Sequence, residues 1–352
     1  MKIEKILDKI IDGERLSDCD ALTLFESHDL IAIGAAAHKV RLKKHPEPIV
    51  TYIIDRNINY TNICVSGCEF CAYYKSPDQK EEGFVITQEQ LFEKIKELKE
   101  VGGELILMQG GLHPDLKLEY YKDLLKSIKQ NFQIHLHCFS PPEIIHFAKI
   151  NNLNIEEVIL QLKESGLDSI PGGGAEILVE NIRKKISPNK CTADQWIEVM
   201  TTAHKLGMKT TATMMFGHIE SYKDRVEHLS RIRTLQDETS GFTAFIPWTF
   251  QSKNTRIDVP TAGGFEYLKT LAICRLCLDN IDNIQASWVT QGAKIAQIAL
   301  FFGANDLGGT MMEENVVKSA GANYRISISN IELLIKEAGF KPARRNLYYK
   351  LF

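Results

Sequence analysis

Apolar positions recur with helical spacing through the first 45 residues. Ile3, Leu7, Ile10 and Ile11 mark one face, Ser17 is placed to cap a second segment, and "HDLIAIGAAAHKVRLKK" forms a third that stops before Pro46. Beyond Pro46 the pattern changes to short β-branched or apolar runs separated by amphipathic stretches. The runs are 49–54, 104–109, 133–139, 166–171, 209–216, 241–248, 283–289 and, more weakly, 302–309. Helical periodicity occupies 87–101, 117–131, 155–165, 192–206, 221–236, 263–280 and 290–301. This alternation predicts an α/β protein built as one TIM-type (β/α)8 barrel, residues 46–352, with a helical extension over 1–45. A doubly wound open sheet is the other arrangement the same alternation allows.

A barrel collects its chemistry at the C-terminal ends of its strands. Those ends are polar and unusual here: "DRNINYTNIC", "QGGLHP", "HLHCFSPP", "SIPGGGAEIL", "FGHIES", "PWTFQ", "SWVTQG" and "NDLGGT". Folding alone gives no reason for so many irregular ends at one mouth. With 42 Lys plus Arg against 45 Asp plus Glu, the net charge is −3 and no long block of one sign occurs. Nucleic acid and membrane are therefore not expected partners. The first twenty residues mix acids and bases without an apolar core, unlike a signal peptide, and "LIAIGAAA" is too short to span a bilayer. A cytoplasmic enzyme is the expectation, and in a reducing compartment clustered cysteines read as metal-binding or catalytic.

Of eight cysteines, three fall within "NICVSGCEFCAYY" as Cys64, Cys68 and Cys71. A structural zinc site needs a fourth ligand, usually from a second pair. Cys274 and Cys277 are spaced as such a pair, but they lie in a helical stretch where burial is the simpler reading. Cys138 and Cys191 read as structural. Three thiolates on one loop instead suit a [4Fe–4S] cluster with one iron left open, the condition for a metal centre that reacts. A non-catalytic iron–sulfur electron carrier and a zinc-stabilised binding module are the rival classes. Neither needs glycine-rich ends on several strands.

The CxxxCxxC spacing, with Phe70 just before the last cysteine, resembles the signature of the radical S-adenosylmethionine (SAM) superfamily. That resemblance implies Cys64, Cys68 and Cys71 as cluster ligands, SAM on the open iron, and a 5′-deoxyadenosyl radical that abstracts hydrogen from substrate. The literal "GGE" at 102–104 lies before its strand, at the wrong end of a barrel, and Gly102 reads as a helix C-cap. The position equivalent to the superfamily's SAM-amine motif is then Gln109, Gly110 and Gly111, where missing side chains would let backbone approach a ligand. The stretch "TMMFGHIE" partly resembles the adenine-contacting pattern and implies Met215 and Gly217. Ser140 and Glu176, at the ends of the third and fourth strands, are implied at the ribose or the methionine carboxyl group.

The strings "NINYTNICVSGCEFCAYY", "LMQGGLHP", "HCFSPPEI", "SIPGGGAEIL" and "MMFGHIE" resemble the subfamily of futalosine-pathway enzymes of menaquinone synthesis and deazaflavin (F420 precursor) synthases. "FIPWTFQ" and "SWVTQG" are most similar to its cyclic dehypoxanthinyl futalosine synthase branch, with aminofutalosine synthases as the sister alternative. The branch implies a nucleoside-derived aromatic substrate, and an electron donor such as flavodoxin or ferredoxin. On this reading Trp248 and Trp288 wall the aromatic ring, Arg56 meets its carboxylate, and His137 lines the site. His218, Glu220 and Tyr60 are the candidate bases.

Overall fold

The computed structural model describes residues 2–352. The run "IVTYI" forms β1 (Ile49–Ile53), and after Ile54 the chain continues in the same direction as β2 (Asp55–Asn59). β2 starts a parallel sheet through β3 (Leu105–Gln109), β4 (His135–Cys138), β5 (Ser169–Ile170), β6 (Lys209–Phe216) and β7 (Phe242–Thr249). β8 (Asp306–Gly309) pairs parallel with β1, Thr51 opposite Asp306. Single bridges from Phe245 to Ile284 and from Gln285 to Asp306 carry the hydrogen bonding from β7 to β8. The curled parallel sheet thus closes into a barrel.

Two predicted elements change character. "DRNIN" was expected to leave the barrel as a loop, yet it pairs residue by residue with β3, Asp55 opposite Leu105 through Asn59 opposite Gln109. Its polar side chains disguise it, because alternate ones face the barrel interior while the backbone does the pairing. The stretch 283–289 makes bridges only, and a helix, Trp288–Ala299, begins before it ends. Here the Asn305 side chain accepts from the Ile284 amide at 2.9 Å, taking a position that a longer strand would fill. A final strand, β9 (Lys341–Arg344), had no signal in the pattern and pairs parallel with β1 from Ile49 to Tyr52. Proline is excluded from sheet interiors, and β9 accommodates Pro342 because it is a short strand at the sheet's edge.

Helices α1 (Lys2–Ile11), α2 (Asp18–Glu26) and α3 (Leu30–Lys44) precede the barrel. Ser17 caps α2 by accepting from the Asp20 amide. α2 packs on the helix Tyr222–Thr239 and α3 on the helix Gly264–Cys277. Ile6, Leu24, Phe25 and Ile33 are buried in the same apolar cluster as the barrel's outer layer. No helix among the described residues is long and apolar enough to cross a membrane.

Candidate active site

One cavity of about 390 Å³ runs down the barrel from the cysteine loop to the chain's C-terminal tail. Cys64, Cys68 and Cys71 line its mouth, and Arg345, Leu347 and Tyr349 reach it from the tail. The cysteine loop is pinned on all sides by backbone. The Cys64 amide donates to Lys75, Val65 to Leu112, Glu69 to Ile186 and Gly111 to Thr61. Arg256 grips the loop through Glu69 at 2.8 Å, the Tyr74 hydroxyl at 2.9 Å and the Gly67 carbonyl. Gly110 and Gly111 also make room for this packing. A Cβ at Gly110 would lie 2.5 Å from the Tyr60 ring, and one at Gly111 would lie 2.2 Å from the Ile63 carbonyl.

The loop also prepares its sulfurs. The Ser66 amide lies 3.4 Å from Cys64 Sγ, and its hydroxyl lies 3.2 Å from Cys68 Sγ. Burial pushes the Cys64 and Cys71 thiols up, while the nearby Lys190 ammonium pulls both down. All eight cysteines are free thiols. Among the described residues no three His, Cys, Asp or Glu side chains are grouped tightly enough to hold one metal ion. A cluster that takes one thiolate on each of three irons does not need that convergence. Three thiols on one cavity wall, with donors to sulfur and a buried cation beside them, fit such a cluster.

Opposite the loop, Glu176 and Lys190 form a buried ion pair at 2.7 Å. Burial would raise the Glu176 carboxyl, but Lys190 holds it below its ordinary value. Burial likewise opposes charge on Lys190, and Glu176 outweighs it. The ammonium also lies 5.1 Å from the centre of the Phe70 ring. Glu176 has φ 42, a left-handed conformation that side-chain residues rarely adopt. Arg183 supports this turn by donating to the carbonyls of Gly174, Ala175 and Cys191. Lys190 carried no motif, being brought to Glu176 only when the strand-four loop folds over the helix Glu180–Ile186.

The cavity gathers Phe70, Gln109, Gly110, Gly111, Ser140, Glu176, His137, Trp248 and Trp288 with the three cysteines. Trp288 reaches it from the first turn of a helix rather than a strand end, its indole N–H donating to the Gly309 carbonyl at 3.1 Å. Ser140 spends its hydroxyl on Glu143, the third residue of a capping box at the helix Pro141–Asn151. Glu143 was not singled out by sequence. It is fully buried, accepts from the Tyr60 hydroxyl at 2.7 Å and from the Gly110 amide at 3.1 Å, and burial raises its carboxyl.

Six expected residues are placed elsewhere. Arg56 points away from the cavity, held by Glu97, by Glu313 at 3.0 Å and by the Lys94 carbonyl. It leaves the barrel because Asp55, Asn57 and Asn59 take the inward positions of β2. Tyr60 is enclosed among Tyr121, Phe139 and Glu143, and burial raises its phenol well above the ordinary value. Glu220 folds back to accept from the Gly217 and His218 amides at 2.6 and 2.9 Å and from Arg225 at 2.8 Å. His218 Nδ1 accepts from the Ile219 amide at 2.7 Å, and burial pushes the imidazole down. Met215 and Gly217 likewise do not line the cavity; the Met215 amide donates to the Glu176 carbonyl and Gly217 turns the chain at φ 86. The "GGE" glutamate, Glu104, pairs with Arg344 at the barrel's other end, and Gly102 ends a helix at φ 74.

The sequence matches the model of the radical SAM superfamily over residues 58–232 and that of the CofH/MqnC C-terminal region over 239–352. It is 49% identical over 353 residues to a cyclic dehypoxanthine futalosine synthase of Halalkalibacterium halodurans, covering 100% of this chain and 95% of the relative. A Streptomyces coelicolor protein of the same name is 44% identical over 352 residues, covering 99% and 88%. A 5-amino-6-(D-ribitylamino)uracil–L-tyrosine 4-hydroxyphenyl transferase of Methanococcoides burtonii is 42% identical over 358 residues, covering 99% and 98%. Among solved structures, methylornithine synthase superposes with a TM-score of 0.73 at 20% identity, covering 96% of this chain and 97% of that one. The FeFe-hydrogenase maturase of Carboxydothermus hydrogenoformans gives 0.78 at 15% identity, covering 99% and 81%. At these identities the two structures speak for the fold alone.

Proposed function

This chain belongs to the radical SAM superfamily, and on that premise we propose that it cyclises dehypoxanthine futalosine to cyclic dehypoxanthinyl futalosine in menaquinone biosynthesis. The observation that carries this reading is identity of 49% along the whole chain with a protein of that name, which extends past the cysteine loop into the substrate end of the barrel. The cofactors of the superfamily are a [4Fe–4S] cluster and SAM, which together supply a 5′-deoxyadenosyl radical able to abstract the substrate's C4′ hydrogen. Cys64, Cys68 and Cys71 hold the cluster. Gln109, Glu176 and Phe70, which line the same cavity, would hold SAM, with Lys190 fixing the Glu176 carboxylate in its ionised form. Trp248 and Trp288, which line the same cavity, would wall the ring of a benzoate-bearing ribose. Holding C4′ and the ring in contact makes the bond-forming step intramolecular, and the enclosing barrel excludes water from the radical. The reductant is a small electron carrier such as flavodoxin or ferredoxin.

A second reading is favoured by the Methanococcoides relative, whose similarity also spans nearly the full chain: transfer of a tyrosine-derived hydroxyphenyl group to a ribitylaminouracil. One experiment separates the two. Reduced, cluster-loaded protein with SAM is offered dehypoxanthine futalosine or, separately, tyrosine with the diaminouracil, and products are followed by mass. Cyclisation gives a product two hydrogens lighter than dehypoxanthine futalosine. Turnover confined to the tyrosine pair, or to an enolpyruvyl benzoate as for an aminofutalosine synthase, overturns the proposal.

A further inference from the structure

Two histidines of β4 connect the cavity to the opposite end of the barrel. His137 and Thr211 line the cavity. His135 lines a separate cleft at the other end, together with Glu104, Lys129 and Asp168. Parallel pairing sets His137 opposite Ser169 of β5. The Ser169 hydroxyl lies between the two rings, 2.7 Å from His137 Nδ1 and 2.8 Å from His135 Nε2.

The Gly172 amide donates to the Thr211 hydroxyl oxygen at 3.0 Å, and in the His137 tautomer that a relay requires the Thr211 proton points at His137 Nε2, 3.4 Å away. With Nε2 accepting, the ring proton of His137 sits on Nδ1 and is donated to Ser169. Ser169 then donates its own proton to His135 Nε2. Burial pushes both imidazoles down. The neighbouring charges are His135 and Arg345 for His137, and Asp168 and Lys129 for His135, whose ring also meets Tyr348. Of the other acids lining the cavity, Glu176 is engaged by Lys190, Glu143 by Tyr60, and Glu314 by Asn57 and the Val316 and Val317 amides, while Asp55 accepts from the Met311 amide at 2.8 Å and burial pushes its carboxyl up to about 6.

We propose that His137 accepts the proton released in ring closure and that Ser169 and His135 relay a proton to the cleft at the far end of the barrel. The proposal rests on the cyclisation reading. Addition of the C4′ radical to the benzoate ring forms a carbon–carbon bond and leaves a ring radical with one tetrahedral C–H. Rearomatisation breaks that C–H bond. One electron is also released, for which the oxidised iron–sulfur cluster held by Cys64, Cys68 and Cys71 would be the acceptor, and the proton goes to His137 Nε2. His137 passes its Nδ1 proton to Ser169, Ser169 passes its own to His135 Nε2, and the His135 Nδ1 proton leaves to water beside Asp168. His137 is the catalytic residue of this step, and Ser169 and His135 are positioning residues that act through it.

Ser169→Ala removes the bridge, and Ser169→Thr restores a hydroxyl. In reduced, loaded enzyme the ratio of 5′-deoxyadenosine to cyclised product should rise at least about tenfold in Ser169→Ala and recover to within about threefold of wild type in Ser169→Thr. His135→Gln, at the more accessible end, should raise the ratio in the same direction. Wild-type ratios in both Ser169→Ala and His135→Gln overturn the relay. A second readout needs neither cofactor nor substrate. In the unloaded protein labelled with ¹⁵N-histidine, acid titration of His135 should shift the His137 resonances in wild type and not in Ser169→Ala. Uncoupled histidines in wild type overturn the relay whatever the substrate. Should wild type cleave SAM yet make no cyclised product, the cyclisation reading and the acceptor role fall together, while the titration still decides whether the chain exists.

Discussion

Two of the buried ion pairs stand at opposite ends of the cavity, and they are built differently. At the mouth, Glu176 and Lys190 meet through one oxygen on loops, beside the cysteines, with Glu176 in a left-handed backbone conformation. At the floor, Arg345 of the C-terminal tail grips both oxygens of Asp306 on β8, the longer contact at 2.8 Å. Tyr349 stacks on that guanidinium, 3.9 Å from the ring centre, and Thr51 donates to Asp306 as well. The floor pair is over-determined and fastens the tail under the barrel. The mouth pair sits on strained backbone and lines the cavity in which we propose that SAM binds. Burial alone does not tell a structural pair from a working one; the surrounding backbone does.

The largest effect should come from the mouth without touching either pair. Cys68→Ala is expected to abolish SAM cleavage and the cluster's visible absorbance after anaerobic reconstitution. Because only the loop changes, the unloaded variant should keep its far-ultraviolet dichroism and unfold within about 1 kcal/mol of wild type.

At the floor, Arg345→Met strands the Asp306 carboxylate, which is fully buried. Urea unfolding should show a loss of about 3–5 kcal/mol, and adding Asp306→Asn should recover part of it. An additive double mutant would show that the two groups do not act as a pair. Lys190→Met should cost less stability, about 1–3 kcal/mol, since its site opens on the cavity. It should weaken SAM binding more than the floor substitution does, as measured by calorimetry with SAM on the loaded protein. Equal SAM affinities in the two variants would erase the functional contrast between the ends.

The histidines give a pH test. Burial pushes His228 down to about 3 and His204 to about 4, and holds His137 well below its ordinary value. Each is therefore neutral when folded and takes up a proton on unfolding below about pH 6.5. Their contribution is fully present above that value and is lost as pH falls toward the folded-state values. Below about pH 6.5 the loss should approach about 1.4 kcal/mol per pH unit for each histidine. Flat stability between about pH 7 and about pH 5 would contradict the buried neutral rings. The smallest effect is expected at Arg56. Arg56→Ala breaks an outward ion pair with a half-exposed Glu97, so it should cost about 1 kcal/mol and leave substrate KM unchanged. A large rise in KM would return Arg56 to the substrate site.

What the sequence alone determined was local. Hydrophobic period set seven of the barrel strands and the three leading helices, and cysteine spacing set the cluster loop, because both depend on residues a few positions apart. Polar β2 escaped, since its inward Asp55, Asn57 and Asn59 carry no apolar alternation. Only the tertiary structure decided which strand-end residues share a cavity. Lys190 meets Glu176 across a folded loop, Arg345 comes from the tail to a strand 39 residues earlier in the chain, and Ser169 joins His137 to His135 across a sheet register. The same folding turned Arg56 outward and closed Tyr60, His218 and Glu220 into supporting bonds. A side chain's direction at a strand end depends on register and on what its neighbours leave open, and neither is written in the spacing of one segment.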